Sequence, residues 1–520
     1  YSFSVDPRDW GSSLSTDLVE SDDEQYIPSN RSKRKRRISG VSARGAANTA
    51  CLCILLSGLL ALFIGYPVIT FYDPDSLPSL IAHRFGTPNA TGQIPQLIGN
   101  FGLIDHDTPK AFYTMPSWAD NHTEMQLVFS DEFNTDGRTF YPGDDPYWEA
   151  VDLHYWATNN LEWYDPGAIT TRNGSLVITL SEKETHGLNF EGGANKFCFT
   201  GGYVEASAQL PGVNNVMGLW PAIWTVGNLG RAGYGATLEG IWPYSYDSCD
   251  VGTVANQTVN GRPAVATTNG DPDRGGALSY LPGQRLSRCT CSGENHPGPK
   301  HTDGTFVGRS APEIDLFEAQ AHMLVGQVSQ SAQWAPFNEA YLWNDTQDNM
   351  ILYNHSVTQL NKFIGSATQQ ATSVTTQTNP NCYELEEGCY SVYGFEYITW
   401  ISSGQPSWTL KGHGMGADPT VQISSRPVST EPMYLIMNLG MSRNFGFVDL
   451  AHLTFPAHMK VDYIRVYQPK NAINIGCDPK AFPTKAYIEQ HIEAYTNPNL
   501  TTWVDDYQQK WPKNSFLGQC

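Results

Sequence analysis

Hydrophobic positions fall into three regimes along these 520 residues. Residues 1–49 are rich in Ser, Asp and Arg and show almost no apolar periodicity, the composition of a disordered tail. No charge occurs from Gly45 to Tyr72, and Cys51 to Phe71 is apolar nearly throughout. About 20 apolar residues at 1.5 Å each cover roughly 30 Å of hydrocarbon, so a transmembrane helix is expected over 50–72. A buried soluble helix is rarely apolar on every side, and a cleaved signal peptide usually lies nearer the start. From about Leu127 the period drops to two. Val204, Ala206, Ala208 and Leu210 alternate with Tyr203, Glu205, Ser207 and Gln209. Segments 175–180, 431–437 and 459–467 also read as strands, and turn signals such as Asn173-Gly174 separate them.

Many short strands with few helical patterns predict an all-β antiparallel sandwich over 118–470, preceded by a linker over 73–117 that packs on it. Two long loops are expected to interrupt the strands: the Gly-, Pro- and Asp-rich residues 228–310, and residues 340–390 with their Thr/Gln/Ser-rich run. Residues 471–520 are expected to form a C-terminal helical extension. Within it Pro479 suits a helix start, and Ile488, Ile492 and Tyr495 are predicted to share a face.

Charge adds orientation. The chain carries a net charge of −20, which argues against nucleic acid as a partner. Aromatic residues make up 12% against 16% charged, a balance that fits a neutral, sugar-like ligand. The tail holds 8 basic and 7 acidic side chains, so 24 basic and 45 acidic ones remain for the rest. A basic run (Arg31 and Lys33 to Arg37) precedes the apolar segment, and Asp73 and Asp75 come after it. The positive-inside rule then places the N-terminus in the cytosol and residues 73–520 on the other side.

Glycosylation sequons fall on that outer side, at Asn89, Asn121, Asn173, Asn256, Asn344, Asn354 and Asn499. So do eight cysteines, Cys198, Cys249, Cys289, Cys291, Cys382, Cys389, Cys477 and Cys520, an even number suited to disulfides. Two local pairs are expected, Cys382–Cys389 and Cys477–Cys520, although spacing alone leaves the connectivity open. No Cys/His cluster has zinc-like spacing and no phosphate-loop motif occurs. No cofactor is therefore expected to be required, with room left for a structural calcium ion.

The strongest chemical signal is Glu313-Ile-Asp315-Leu-Phe-Glu318. Strict alternation puts Glu313 and Asp315 on one strand face and turns Glu318 away. A one-residue β-bulge between Asp315 and Glu318 returns all three to one face. Like charges in a sheet repel and raise one another's pKa, so the arrangement reads as catalytic; a polar exposed strand face is the plainer alternative. Two carboxyls on one face are the equipment of a retaining glycosidase, one as nucleophile and one as acid/base. Trp220 and Trp224, four apart on a strand, share a face on which sugar rings can stack.

These acids resemble the bulged signature of glycoside hydrolase family 16, the laminarinase-like β-glucanases. Gly218-Leu-Trp-Pro-Ala-Ile-Trp224, Phe129-Ser-Asp-Glu-Phe-Asn134, Phe199-Thr-Gly-Gly-Tyr203, Tyr434-Leu-Ile-Met-Asn438 and Val461-Asp-Tyr-Ile-Arg-Val-Tyr467 are similar to its other landmarks, in order, over about 125–468. The resemblance implies a concanavalin-like β-jelly-roll with Glu313 as nucleophile, Glu318 as acid/base and Asp315 as assistant. It also implies substrate contacts at Trp220, Trp224, Trp334 and Gln333. Gln333 stands where secreted laminarinases tend to carry histidine, a departure that argues against simple β-1,3-glucan hydrolysis.

The apolar anchor, the insert around Trp242 and Cys249, Ser329 to Phe337 and the tail Tyr495 to Trp503 resemble the fungal β-glucan synthesis-associated proteins. That family implies a type II membrane glycoprotein of the secretory pathway needed for cell-wall β-1,6-glucan. Its implied partners are β-glucan, the lipid bilayer and wall-synthesis proteins. Two functions are expected from this: a retaining glucosidase or transglucosylase, or a non-catalytic glucan-binding scaffold. The intact acids favour the first.

Overall fold

The computed structural model describes residues 102–183 and 196–520, together with Asn48, Thr49 and Leu52. The expected transmembrane segment 50–72 and the sequon at Asn89 lie outside the described residues, apart from Leu52. Among the described residues no helix is long and apolar enough to cross a membrane. The chain divides into two units, Tyr1–Leu77 and Pro78–Cys520, and the strands and the candidate site all belong to the second.

Among the described residues, seventeen strands form two antiparallel sheets. The ten-stranded sheet contains β1 (Thr114–Pro116), β2 (Glu124–Asp131), β3 (Ile169–Arg172), β4 (Ser175–Leu180) and β5 (Tyr203–Gln209). The seven-stranded sheet begins with β6 (Trp220–Gly227), β7 (Glu313–His322) and β8 (Val325–Trp334). Next come β9 (Met350–Leu352) in the larger sheet, and β10 (Thr358–Leu360), β11 (Gly365–Ser366) and β12 (Gln369–Gln377) in the smaller. The larger sheet adds β13 (Ser391–Glu396), β14 (Thr399–Ser402) and β15 (Gln405–Leu410). Finally β16 (Met433–Gly440) closes the smaller sheet on β6, and β17 (Ala457–Pro469) lies between β2 and β5.

The sheets meet through their apolar faces. Val204, Ala206 and Ala208 of β5 join Ile314, Leu316, Phe317 and Ala319 of β7 in one core. Phe317 packs on Tyr393 across it with ring centroids 4.5 Å apart. The outer face of the larger sheet is also covered: Tyr203 and Tyr467 pack with Met125 and Leu127 under Ile104, Tyr113 and Trp118. Arg465 lies there in a buried ion pair with Glu132.

The region 340–390 differs from its expectation as a loop, since it supplies β9 to β12. Its Thr/Gln/Ser-rich run is β12, paired with β8 over eight positions. Buried polar side chains are tolerated there because each finds a partner. Trp334 donates to Thr372, and Gln370 Oε1 accepts from the backbone N–H of Phe337.

The region 228–310 carries no strand and is nonetheless well packed. Arg309 is fully buried, with Nε and Nη2 donating to Glu431 and Nη1 donating to the carbonyls of Gly298 and Pro483. One guanidinium thus ties the insert, the approach to β16 and the C-terminal extension together. That extension is two short helices, Lys485–Gln490 and Ile492–Thr496, with a break at His491. The break resets the helical phase, so Ile488 and Tyr495 are buried while Ile492 is exposed, contrary to the expected shared face.

Disulfides join Cys198–Cys477, Cys249–Cys289, Cys291–Cys520 and Cys382–Cys389. The expected Cys477–Cys520 pair does not form. Cys477 sits beside β16's entry, where Asn228 donates to its carbonyl, while residues 513–515 pair with the insert at Cys289 and Cys291. Cys382–Cys389 forms as expected from its short spacing, whereas the other three pairs are chosen by proximity in the fold.

Candidate active site

Register places the acids. Between Asp315 and Glu318, β7 advances three residues while β8 advances two, from Ser331 to Ser329. This is the one-residue bulge anticipated from the motif, and it brings Glu313, Asp315 and Glu318 to the cleft face. The irregular backbone is satisfied from the core side. Trp400 Nε1 of the facing sheet donates to Asp315 O at 2.8 Å. Gln330 Nε2 donates to Leu316 O at 2.9 Å and to Ile401 O at 2.8 Å, and its Oε1 accepts from Ser407 Oγ. The bulge is therefore bolted to the opposite sheet by three buried side chains, Gln330, Trp400 and Ser407.

Each acid accepts a different donor. Trp242 Nε1 donates to Glu313 Oε2 at 2.7 Å. Gln333 Nε2 donates to Asp315 Oδ2 at 3.1 Å, while its Oε1 accepts from Gln369. Trp220 Nε1 donates to Glu318 Oε1 at 3.1 Å and Ser329 Oγ to its Oε2 at 3.4 Å.

Burial raises the pKa of all three. Glu318's charge adds to the rise at Glu313, and the charges of both glutamates add to it at Asp315. The donors pull the other way, Trp242 on Glu313, Gln333 on Asp315, and Trp220 and Ser329 on Glu318. Burial, and then the two flanking carboxyls, push Asp315 well above the ordinary carboxylate range, which favours its protonated form. No cation offsets this cluster among the hydrogen bonds and ion pairs of the described residues around it.

The acids floor a cleft of about 820 Å³. Trp220 and Trp224 both line it. Trp220 is stacked on Phe445 at 4.1 Å, and Trp224 Nε1 donates to Asn438 Oδ1. Asn438 in turn donates to the Tyr164 hydroxyl beside buried Glu162, whose carboxyl is raised by burial. Trp334 departs from its expected role. Strand alternation turns it away from Gln333 into the core, where it donates to Thr372 and packs edge-on to Phe337. Trp163 donates to Asp152 and does not line the cleft.

Trp242 was not a site candidate from the sequence. It reaches Glu313 because the insert's first segment is pinned to both strands at the open end of the β7–β8 hairpin. Ala311 N–H donates to Ile241 O, and Ala335 N–H donates to Pro243 O. Asn438 was recognisable only as part of a landmark strand, and Tyr164 and Glu162 carried no local signal.

The six described sequon asparagines are all exposed. Among the described residues one group has metal-ligand proximity, Asp105, His106 and Asp107. Both Asp105 carboxyl oxygens already accept backbone N–H groups, from Asp107 and Glu132, so the group is explained as a turn.

Residues 13–520 match the family described as Beta-glucan synthesis-associated protein SKN1/KRE6/Sbg1. The beta-glucan synthesis-associated protein KRE6 of Saccharomyces cerevisiae is 41% identical over 535 residues, covering 98% of this chain and 70% of that protein. The corresponding SKN1 of Candida albicans is 42% identical over 478 residues, covering 88% of this chain; the chain spans 60% of that relative's length. Among solved structures, the catalytic domain of an endo-1,3-beta-glucanase (laminarinase) from Thermotoga petrophila matches 67% of this chain and 100% of its own, at 19% identity and a TM-score of 0.36. The endo-beta-1,3-glucanase of Pyrococcus furiosus matches 68% and 98%, at 17% identity and a TM-score of 0.37.

Proposed function

The chain belongs to the β-glucan synthesis-associated protein family, and we propose that it is a retaining glucosidase or transglucosylase acting on β-glucan. The observation that carries this reading is the bolted bulge, which crowds three carboxyls of raised pKa into the floor of one cleft. A sheet gains nothing in stability from such crowding, whereas two-step glycosyl transfer needs it.

In the first step Glu313, once ionised, attacks the anomeric carbon while Glu318, carrying the proton, gives it to the departing glycosidic oxygen. Burial and Glu318's charge raise Glu313 to about 8 and burial raises Glu318 to about 7, so a proton must pass from Glu313 to Glu318 before attack. In the second, Glu318 takes a proton from water or a sugar hydroxyl, whose oxygen displaces Glu313 from the anomeric carbon. Asp315, whose pKa is raised first by burial and then by its two neighbours, shares a proton with the nucleophile as its charge changes. Trp242 holds Glu313 in orientation, and Trp220 does the same for Glu318.

A membrane-anchored, outward-facing placement accounts for the apolar segment, the basic flank, the exposed sequons and the four disulfides, which suit an oxidising compartment. Transfer to a sugar, rather than to water, suits a role in wall β-1,6-glucan assembly.

Product analysis with β-1,3- and β-1,6-gluco-oligosaccharides tests the reading. Wild type is expected to cleave or transfer, and Glu313→Gln to bind without turnover. Failure of wild type on every β-glucan refutes it. A Glu313→Gln,Glu318→Gln variant that fully supports wall β-1,6-glucan establishes the scaffold alternative instead.

A further inference from the structure

A second concavity of about 610 Å³ adjoins the cleft. The two share Gln320, Asn361, Phe363 and Phe445 as lining, so they form one trench. Phe445 marks the junction, because it stacks on Trp220, the residue that donates to Glu318. The trench therefore leaves the catalytic centre on the acid/base side. At the Glu313 side, Trp242, Leu238 and Arg231 of the insert line the cleft.

The groove has the lining of a carbohydrate site. Phe447 is 67% exposed and Phe363 47%, flat rings on the wall of a concavity rather than in a core. Gln327 continues the cleft face of β8 beyond Ser329, and Gln359 lies two strands away on β10, in register with Ser329 through Thr375 of β12. The side-chain amides of Gln320, Gln327 and Gln359 have no hydrogen-bond partner among the described residues, so they are available to sugar hydroxyls, as both donors and acceptors. At the rim, the β7–β8 turn puts Met323 and Leu324 at φ 49° and 66°. Turns of this hand ordinarily use Asn and Gly. Here two large apolar residues adopt it while 74% and 70% exposed, a strained arrangement that gains nothing in core packing.

Resting on the proposed glycosyl transfer, we propose that this groove holds the acceptor arm of a β-glucan chain. The incoming hydroxyl lies next to Glu318, since Glu318 must take its proton as the new C1–O bond forms and the bond from C1 to Glu313 breaks. A chain lying in the groove delivers that hydroxyl, and its sugars exclude the water that competes for the glycosyl group. The occupant is thus an oligomer several sugars long, bound by ring stacking and amide pairing, with Lys362 the one lysine or arginine among the described residues of the groove's lining.

The test combines Gln327→Ala with Phe447→Ala, both on the groove wall and away from the acids. In a Glu313→Gln background, affinity is measured for a β-gluco-disaccharide and hexasaccharide. Loss of about ten-fold affinity for the hexamer, with less than about two-fold for the dimer, is expected. In the otherwise wild-type protein the same pair is expected to shift products from transfer toward hydrolysis, with unchanged thermal unfolding. Equal losses for both lengths, or none, overturn the groove while leaving the acids' role standing. Absence of binding by every oligosaccharide overturns both.

Discussion

Gln330→Leu removes the centre of the bolt between the sheets. Gln330 is fully buried, and its side chain makes three hydrogen bonds: to the carbonyls of Leu316 and Ile401, and from the hydroxyl of Ser407. Leucine is of similar size but can make none of them. The carbonyls of Leu316 and Ile401 lose their side-chain donor, each costing about 1–3 kcal/mol, while the Ser407 hydroxyl keeps the Trp400 carbonyl as its acceptor. Relaxation and non-additivity bring the expected total to roughly 3–5 kcal/mol, a large share of a typical domain's stability. Thermal unfolding is the first assay, and a clear fall in Tm is expected. Kinetics are the second. Leu316 sits inside the bulge, and a displacement of about 1 Å at Glu318 costs about 100-fold in rate. The loss is expected in kcat more than in KM, because the cleft's aromatic walls are untouched. Adding Ser407→Ala to Gln330→Leu is expected to cost less than the sum of the two alone. A variant with unchanged Tm and kcat refutes the idea that this network holds the bulge.

Trp242→Phe removes the hydrogen bond that favours ionised Glu313, so the nucleophile's pKa rises further. The acidic limb of the pH–rate profile is expected to move up by about one unit, and no movement counts against the contact. The raised carboxyls also link stability to pH. Their folded pKa values exceed the unfolded ones, so their contribution is fully present in acid and is lost as pH rises through the raised values. Glu318→Gln is therefore expected to unfold at a higher temperature than wild type at pH 8, with the difference vanishing near pH 4; a pH-independent difference argues against the linkage. Replacing Cys291 and Cys520 together by Ser frees the C-terminus from the insert and is expected to cost about 2–4 kcal/mol, read as a lower Tm.

Local chemistry determined what could be read without coordinates. Period-two alternation marked β5, strand-like segments between turn signals marked β4, β16 and β17, and the spacing of Glu313, Asp315 and Glu318 announced a bulge because strand geometry permits no other shared face. Family membership was legible in the apolar anchor, the insert around Trp242 and Cys249, Ser329 to Phe337 and the tail Tyr495 to Trp503. Residues whose roles depend on distant partners were not. The Thr- and Gln-rich β12 lacked apolar alternation, yet it is a strand because Trp334 and the Phe337 backbone satisfy its buried polar groups. Trp334 looked like a sugar contact until register turned it inward. Cys477 and Cys520 are 43 residues apart and bond elsewhere, since sequence separation says little once a chain folds back on itself. Trp242 reaches Glu313 across 71 residues because Ile241 and Pro243 are held by backbone bonds to Ala311 and Ala335. By itself the sequence determined which carboxyls are the candidates for chemistry and that they share a face, since both are properties of one strand. Only the tertiary structure decided what holds that strand in register and what walls the cleft, because those are contacts between segments that no local pattern relates.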